Sequence, residues 1–126
     1  MQNAQHKEYT PDAIDPLISR LDCSLAGRDM EIRLARNSLV ASIYGKPSVR
    51  ERYYCSYGVN PRYAESFKKG PMRVVGSDNE GVMRVIELQD HPFFIGTLFV
   101  PQVLSTEEHP HPLVSAFLMA VIKIAE

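Results

Sequence analysis

"MRVVGSDNEGVMRVIELQDHPFFIGTLFVPQ", residues 72–102, decides the fold. It contains three runs rich in Val, Ile and Phe, "MRVVGSD", "VMRVIEL" and "FFIGTLFV", and each reads as a strand. "DNEG" (78–81) supplies the residues of a hairpin turn between the first two, so the pairing is read as antiparallel. The third run enters a loop at Pro101. An enzyme could place catalytic side chains there, yet the residues flanking Pro101 are Val100 and Gln102, and neither transfers a proton.

Upstream, "DMEIRLA" (29–35) alternates, with Met30, Ile32 and Leu34 on one face and Glu31 and Arg33 on the other, which is the pattern of a half-buried strand. "SLVASIYG" (38–45) also alternates and is read as a strand, with "RN" before it turning a hairpin. "SVRERYYCSYGVN" (48–60), rich in Tyr and Val, is read as a further strand. "NPRYAESFKKG" (60–70) carries helix punctuation: Asn60 as cap, Pro61 at the first helical position and Gly70 as stop. Lys68 and Lys69 fall in its last turn, where the helix dipole favours cations. Residues 1–28, with two prolines in "YTPDAIDPLI", read as an irregular segment lying on a neighbour.

"HPLVSAFLMAVIKIAE" (111–126) reads as a helix opened by Pro112. From 113 to 125 only Ser115 and Lys123 are polar. A helix apolar nearly all round expects burial on several sides, and a small antiparallel sheet offers one face. A homo-oligomer or another partner is therefore expected. The fold class that follows is α+β, mainly antiparallel strands with a short central helix and a C-terminal helix, in one domain spanning 1–126.

The composition narrows the function. A chain of 126 residues suits one domain, and 44% hydrophobic with 23% charged residues is ordinary for a globular protein. The net charge is −1 and Lys and Arg form no block, which argues against a nucleic-acid partner. "LVSAFLMAVI" is too short to span a bilayer, and the polar N-terminus has no apolar signal region. Two cysteines, Cys23 and Cys55, without a C-x-x-C, suggest free thiols in a reducing cytoplasm.

Few motifs carry chemistry. "HPHP" (109–112) sets His109 and His111 two apart, with His6 and His91 elsewhere. No third ligand stands out, so no metal is expected and the segment reads as a proline-stiffened polar loop. No phosphate-binding glycine loop and no nucleophile elbow is present, and no cofactor is expected. Cys55 lies between Tyr54 and Ser56 with Arg52 nearby, so a reactive thiol and a small core residue are both open readings. For "RERYY" (50–54) a solvated edge face outweighs an anion site. If a ligand binds here, Arg52, Tyr54 and Ser56 are the residues to meet it.

These residues resemble a known family. "VVGSDNEGVMRVIELQDHPFFIGTLFVPQ" is similar to the end of the glutamine amidotransferase domain of CTP synthases, where a close equivalent of "DHPFF-G-x-x-F" precedes His-Pro-Glu. "EYTPDAIDPLI", "MEIRL", and "IYG" followed by "ERYYCSYGVNP" resemble further family segments in the same order. The resemblance implies the second half of a class I glutamine amidotransferase domain, a flavodoxin-like α/β fold. The altered residues resemble the CTP synthase C-terminal region-related (seleno)proteins, a label that draws attention to Cys55.

In that family a Cys attacks the glutamine amide, a His shuttles the proton and a Glu orients the His. The resemblance puts Val100 at the His position and Gln102 at the Glu position. It places the nucleophile elbow upstream of "EYTPDA". The family's arginine-rich strand keeps Arg52 and then departs at Tyr53, Tyr54, Cys55 and Ser56. The expectation is a CTP synthase-related module without the Cys-His-Glu triad, serving binding or regulation through an unknown small ligand. Two alternatives stand beside it: an enzyme of different chemistry using Cys55, and a half-domain that works with an upstream half or as a homodimer.

Overall fold

The computed structural model describes residues 3–126. A five-stranded antiparallel sheet is built from β2 (Asp29–Leu34), β3 (Ser48–Arg52), β5 (Met72–Ser77), β6 (Met83–Leu88) and β7 (Ile95–Thr97), in the order β3-β2-β5-β6-β7. A separate ribbon pairs β1 (Ile18–Arg20) with β4 (Tyr57–Val59), also antiparallel. The helices are α1 (Leu39–Tyr44), α2 (Ala64–Lys68) and α3 (Pro112–Ala125). The architecture is mixed α+β, and the strands expected at 29–35, 72–78 and 82–88 are present.

The stretch 38–45 is helix α1, not a strand, and the hairpin expected at "RN" is absent. Caps override the alternation. The Ser38 hydroxyl accepts the Ala41 N–H at 3.0 Å, and Gly45 closes the helix at φ +64, a left-handed conformation that suits glycine. The Glu87 carboxylate, reaching across from β6, accepts the N–H groups of Leu39 at 2.9 Å and Val40 at 3.4 Å. A buried anion at a helix N-terminus meets both unpaired donors and dipole.

The stretch 48–60 divides. Tyr53–Ser56 leave the sheet, and β4 then pairs with β1, so the segment read as wholly irregular holds a strand. The Asn60 cap and Pro61 behave as read: the Asn60 side chain accepts the Arg62 N–H at 3.1 Å and opens a 3-10 turn, Pro61–Tyr63, that runs into α2. Between β6 and β7 the chain turns at Asp90, whose φ of 62° is one that Asp tolerates better than most residues.

Ile32, Val40, Tyr53, Val75 and Val85 lie deepest, joined by Leu34, Phe99 and Leu113. Gly76 sits at a register shift between β5 and β6, and a Cβ there would stand 2.7 Å from Val85 Cγ2. Only glycine lets those backbones approach. Helix α3 is anchored at its start by Leu113, while Phe117, Leu118, Met119, Val121, Ile122 and Ile124 are 48–67% exposed. No helix of the described residues is long and apolar enough to cross a membrane.

Candidate functional site

Strand β7 delivers the chain through Leu98 and buried Phe99 to Val100, which precedes a 3-10 turn, Pro101–Leu104. The Val100 N–H donates to the Arg52 carbonyl at 3.3 Å, tying the turn to the end of β3. The Val100 side chain, half-buried, makes no capping bond, and Gln102 is exposed. Gln102 lines a cavity of about 360 Å³ with Phe93, Thr97, Leu113, Val114 and Phe117. No titratable side chain lines it, so this cavity holds no general acid or base.

The residues after Val100's partner strand are mostly committed elsewhere. Arg52 grips Asp29, its register neighbour on β2, at 2.6 Å and 3.0 Å. That hydrogen bond, helped by the charge of the guanidinium, holds the Asp29 carboxyl below its ordinary range and raises Arg52 in turn. Ser56 shares a hydrogen bond with Ser24 at 2.8 Å, and Cys55 Sγ accepts the Tyr57 N–H at 3.2 Å. Tyr54 stands exposed. The loop 53–56 therefore brings Tyr54, Cys55 and Ser56 together beside Arg52. No hydrogen bond among the described residues joins Cys55 to an imidazole, a carboxylate or the Val100–Gln102 turn.

The solvated-edge reading of "RERYY" is half right. Strand β3 is the sheet edge, and Arg50 faces solvent. Glu51 and Tyr53 point inward and are buried. The polar-loop reading of "HPHP" is corrected in the same way. His109 is exposed, but His111 is only 5% exposed and meets Glu51.

Glu51, His111 and Tyr44 form the most closely connected polar group in the interior. Glu51 Oε1 lies 2.9 Å from His111 Nε2 and accepts the Tyr44 hydroxyl at 2.6 Å. His111 Nδ1 accepts the Leu113 N–H at 3.2 Å, capping α3. With Nδ1 accepting, the proton belongs on Nε2, where it faces Glu51, so a neutral imidazole satisfies every contact. Burial first, and the Glu51 carboxylate second, raise the Tyr44 hydroxyl far above its ordinary range. Both imidazole nitrogens are occupied, which leaves His111 a structural tie rather than a proton shuttle. Beside it Arg84 pairs with Asp78 at 2.8 Å and lies over the Tyr53 ring at 5.5 Å. Sequence reading missed this group. The available signal was Glu51 sharing the inward parity of Val49 and Tyr53.

A larger cavity of about 930 Å³ opens between the β1–β4 ribbon and the main sheet. Its wall mixes Arg20, Arg28 and Arg50 with Asp22, Glu31 and Glu80, and it includes Cys23 but not Cys55. Among the described residues no group of three or more His, Cys, Asp or Glu is placed to hold a metal ion.

No family model matches the chain. Among curated proteins, the CTP synthase of Cytophaga hutchinsonii is 31% identical over 136 residues, covering 100% of this chain and 25% of that protein. The CTP synthase of Chlamydia abortus is 33% identical over 132 residues, covering 97% of this chain and 25% of its own length. That of Novosphingobium aromaticivorans reaches 41% over 96 residues. The chain thus spans about a quarter of the length of the full-coverage relatives. Among solved structures, the glutaminase domain of Trypanosoma brucei CTPS, with bound acivicin, superposes with a TM-score of 0.83 at 22% identity, covering 95% of this chain and 51% of that one. A putative GMP synthase subunit of Thermoplasma acidophilum gives 0.61 at 10% identity over 86% of this chain and 49% of that one.

Proposed function

We propose that this chain, a relative of the CTP synthases along its whole length with the fold of a class I glutamine amidotransferase domain, is a binding or regulatory module that does not hydrolyse glutamine. The observation that carries the reading is the Val100–Gln102 turn. At the place the family gives to its His and Glu, the side chains offer no proton acceptor, and the adjoining cavity is free of titratable groups. Loss of a general acid–base forfeits about 10²- to 10⁴-fold in rate. Arg52 adds support, because Asp29 already holds the Nε–Nη2 edge of its guanidinium in a bidentate pair, so that edge is not free to meet a glutamine carboxylate. Kinship with CTP synthases supports a role beside pyrimidine metabolism, and free Cys23 and Cys55 suit the reducing cytoplasm proposed for it.

The test is ammonia release from glutamine by the purified chain. The expected rate equals that of buffer. Turnover that disappears on Val100→Ala or Gln102→Ala substitution would overturn the proposal.

A further inference from the structure

We propose that Cys23 and Cys55 form a redox pair, a reversible intramolecular disulfide site that joins the bend at 22–24 to the loop that follows β3. The inference is independent of whether the chain hydrolyses glutamine.

Three backbone hydrogen bonds lay one segment along the other. The Leu21 N–H donates to the Ser56 carbonyl at 2.8 Å, the Leu25 N–H to the Cys55 carbonyl at 3.3 Å and the Gly27 N–H to the Tyr53 carbonyl at 2.7 Å. The Ser24 and Ser56 hydroxyls, 2.8 Å apart, add a side-chain tie. Cys23 therefore sits midway between two N–H groups that are pinned to Cys55 and to its neighbour Ser56. Leu25 faces Cys55, which makes Cys23, two residues earlier, a diagonal neighbour of Cys55. Diagonal neighbours on antiparallel segments lie about 7–8 Å apart. A disulfide needs its two Cα atoms within about 7 Å. The chain bends at Asp22 and Cys23, and among the described residues Asp22, Cys23 and Ser24 make no backbone hydrogen bond. A small inward turn of the bend therefore brings the two sulfurs together and leaves the bonds that hold the segments in place.

The two thiols differ in the way that stepwise oxidation requires. Cys23 is exposed and lines the 930 Å³ cavity. Cys55 is half-buried, and its Sγ accepts the Tyr57 N–H at 3.2 Å, which fixes the sulfur. Among the described residues no group of three or more His, Cys, Asp or Glu is placed to share a metal ion with them. A hydroperoxide is the oxidant class that suits this arrangement, because it reaches Cys23 from solvent. The Cys23 thiolate attacks one peroxide oxygen and the O–O bond breaks. With hydrogen peroxide, Cys23 becomes a sulfenic acid and the other oxygen leaves as water. The Cys55 thiolate then attacks the Cys23 sulfur; the S–S bond forms, and the sulfenic hydroxyl takes up a proton and leaves as a second water. Two thiols are oxidised and one peroxide is reduced to two waters. A small dithiol reverses the bond by exchange. Closure draws Cys23 off the cavity wall, so the oxidation state of the pair reshapes that cavity.

The experiment treats the full 126-residue chain with hydrogen peroxide, alkylates the remaining thiols and maps the peptides by mass. The expected product is a monomer lighter by two hydrogen atoms, with neither cysteine alkylated and the Cys23 and Cys55 peptides cross-linked. Dithiothreitol should restore both thiols. In Cys55→Ser, which keeps an acceptor for the Tyr57 N–H, the sulfenic acid should persist at Cys23 and be captured by dimedone. In the wild type with dimedone present, capture at Cys23 should rise about tenfold in urea, where the flexible loop between the cysteines has to close at an entropic cost. Full alkylation of both cysteines after peroxide overturns the inference. So does a disulfide that forms only between two copies, or equal dimedone capture in buffer and in urea. Sulfinic or sulfonic acid at Cys23 beside an untouched Cys55 thiol overturns it as well.

Discussion

Two short segments near the C-terminus look alike in sequence and do opposite work. Val100 precedes Pro101 and a 3-10 turn; His111 precedes Pro112 and α3. In both, proline occupies the first helical position, where its missing N–H costs nothing. Val100 contributes no capping bond and sits beside a cavity without titratable groups. His111 caps its helix through Nδ1 and reaches Glu51 through Nε2, joining α3 to the sheet edge. The segment whose family resemblance promises catalysis is chemically bare, while the one that reads as loop filler is wired into the core. Proline marks where a helix starts; burial of the residue before it decides whether that residue matters.

The largest expected effect tests the wired segment. His111→Ala removes the cap and leaves the buried Glu51 carboxylate with Tyr44 as its one remaining hydrogen-bond partner. Losing a buried hydrogen bond to a charged acceptor costs about 1.5–3 kcal/mol, and losing the cap adds about 1 kcal/mol. His111→Asn keeps an acceptor for the Leu113 N–H and so recovers roughly 1 kcal/mol of that loss. Urea denaturation of the two variants separates the cap from the tie. Equal stability of both variants would mean that the cap contributes nothing.

A smaller effect is expected at Tyr44, the third member of the group. Tyr44→Phe removes a hydrogen bond to a charged acceptor and costs about 1.5–3 kcal/mol. It also changes the response to alkali. The folded-state pKa of Tyr44 is raised above its unfolded value of 10.0. Its contribution to stability is therefore complete below pH 10 and is lost as pH rises above it, because only the unfolded chain then releases the proton. The wild type should lose stability more steeply than Tyr44→Phe above pH 10, as read by denaturation at stepped pH. Parallel curves would show that folding does not raise the Tyr44 hydroxyl above its unfolded value.

Much of the fold was legible because period and punctuation agreed. The hairpin at "DNEG", the Asn60–Pro61 start and the Pro112 start all combine a local signal with a consistent apolar pattern. Residues 38–45 failed because "LVASIY" fits both periods, and the deciding contact comes from Glu87, about fifty positions away on β6. The β1–β4 ribbon failed for a related reason: three-residue strands in a proline-rich segment carry too little pattern to stand out. At the site, what sequence could deliver was the identity of Val100 and Gln102. The pairing of Glu51 with His111, sixty residues apart, depends on tertiary contact and leaves no local trace.

The smallest expected effect completes the comparison. Gln102 is exposed, and its side chain makes no hydrogen bond among the described residues, although it borders the cavity beneath α3. Surface substitutions away from caps, charges and core contacts usually fall within about 0.5 kcal/mol. Gln102→Ala should therefore leave the stability of the isolated chain unchanged within that margin, as measured by its urea midpoint. His111→Ala, nine residues on and also beside a proline, should unfold it far earlier. A Gln102→Ala loss approaching that of His111→Ala would mean that the turn is held by its polar side chain. It would then no longer stand as the bare member of the pair.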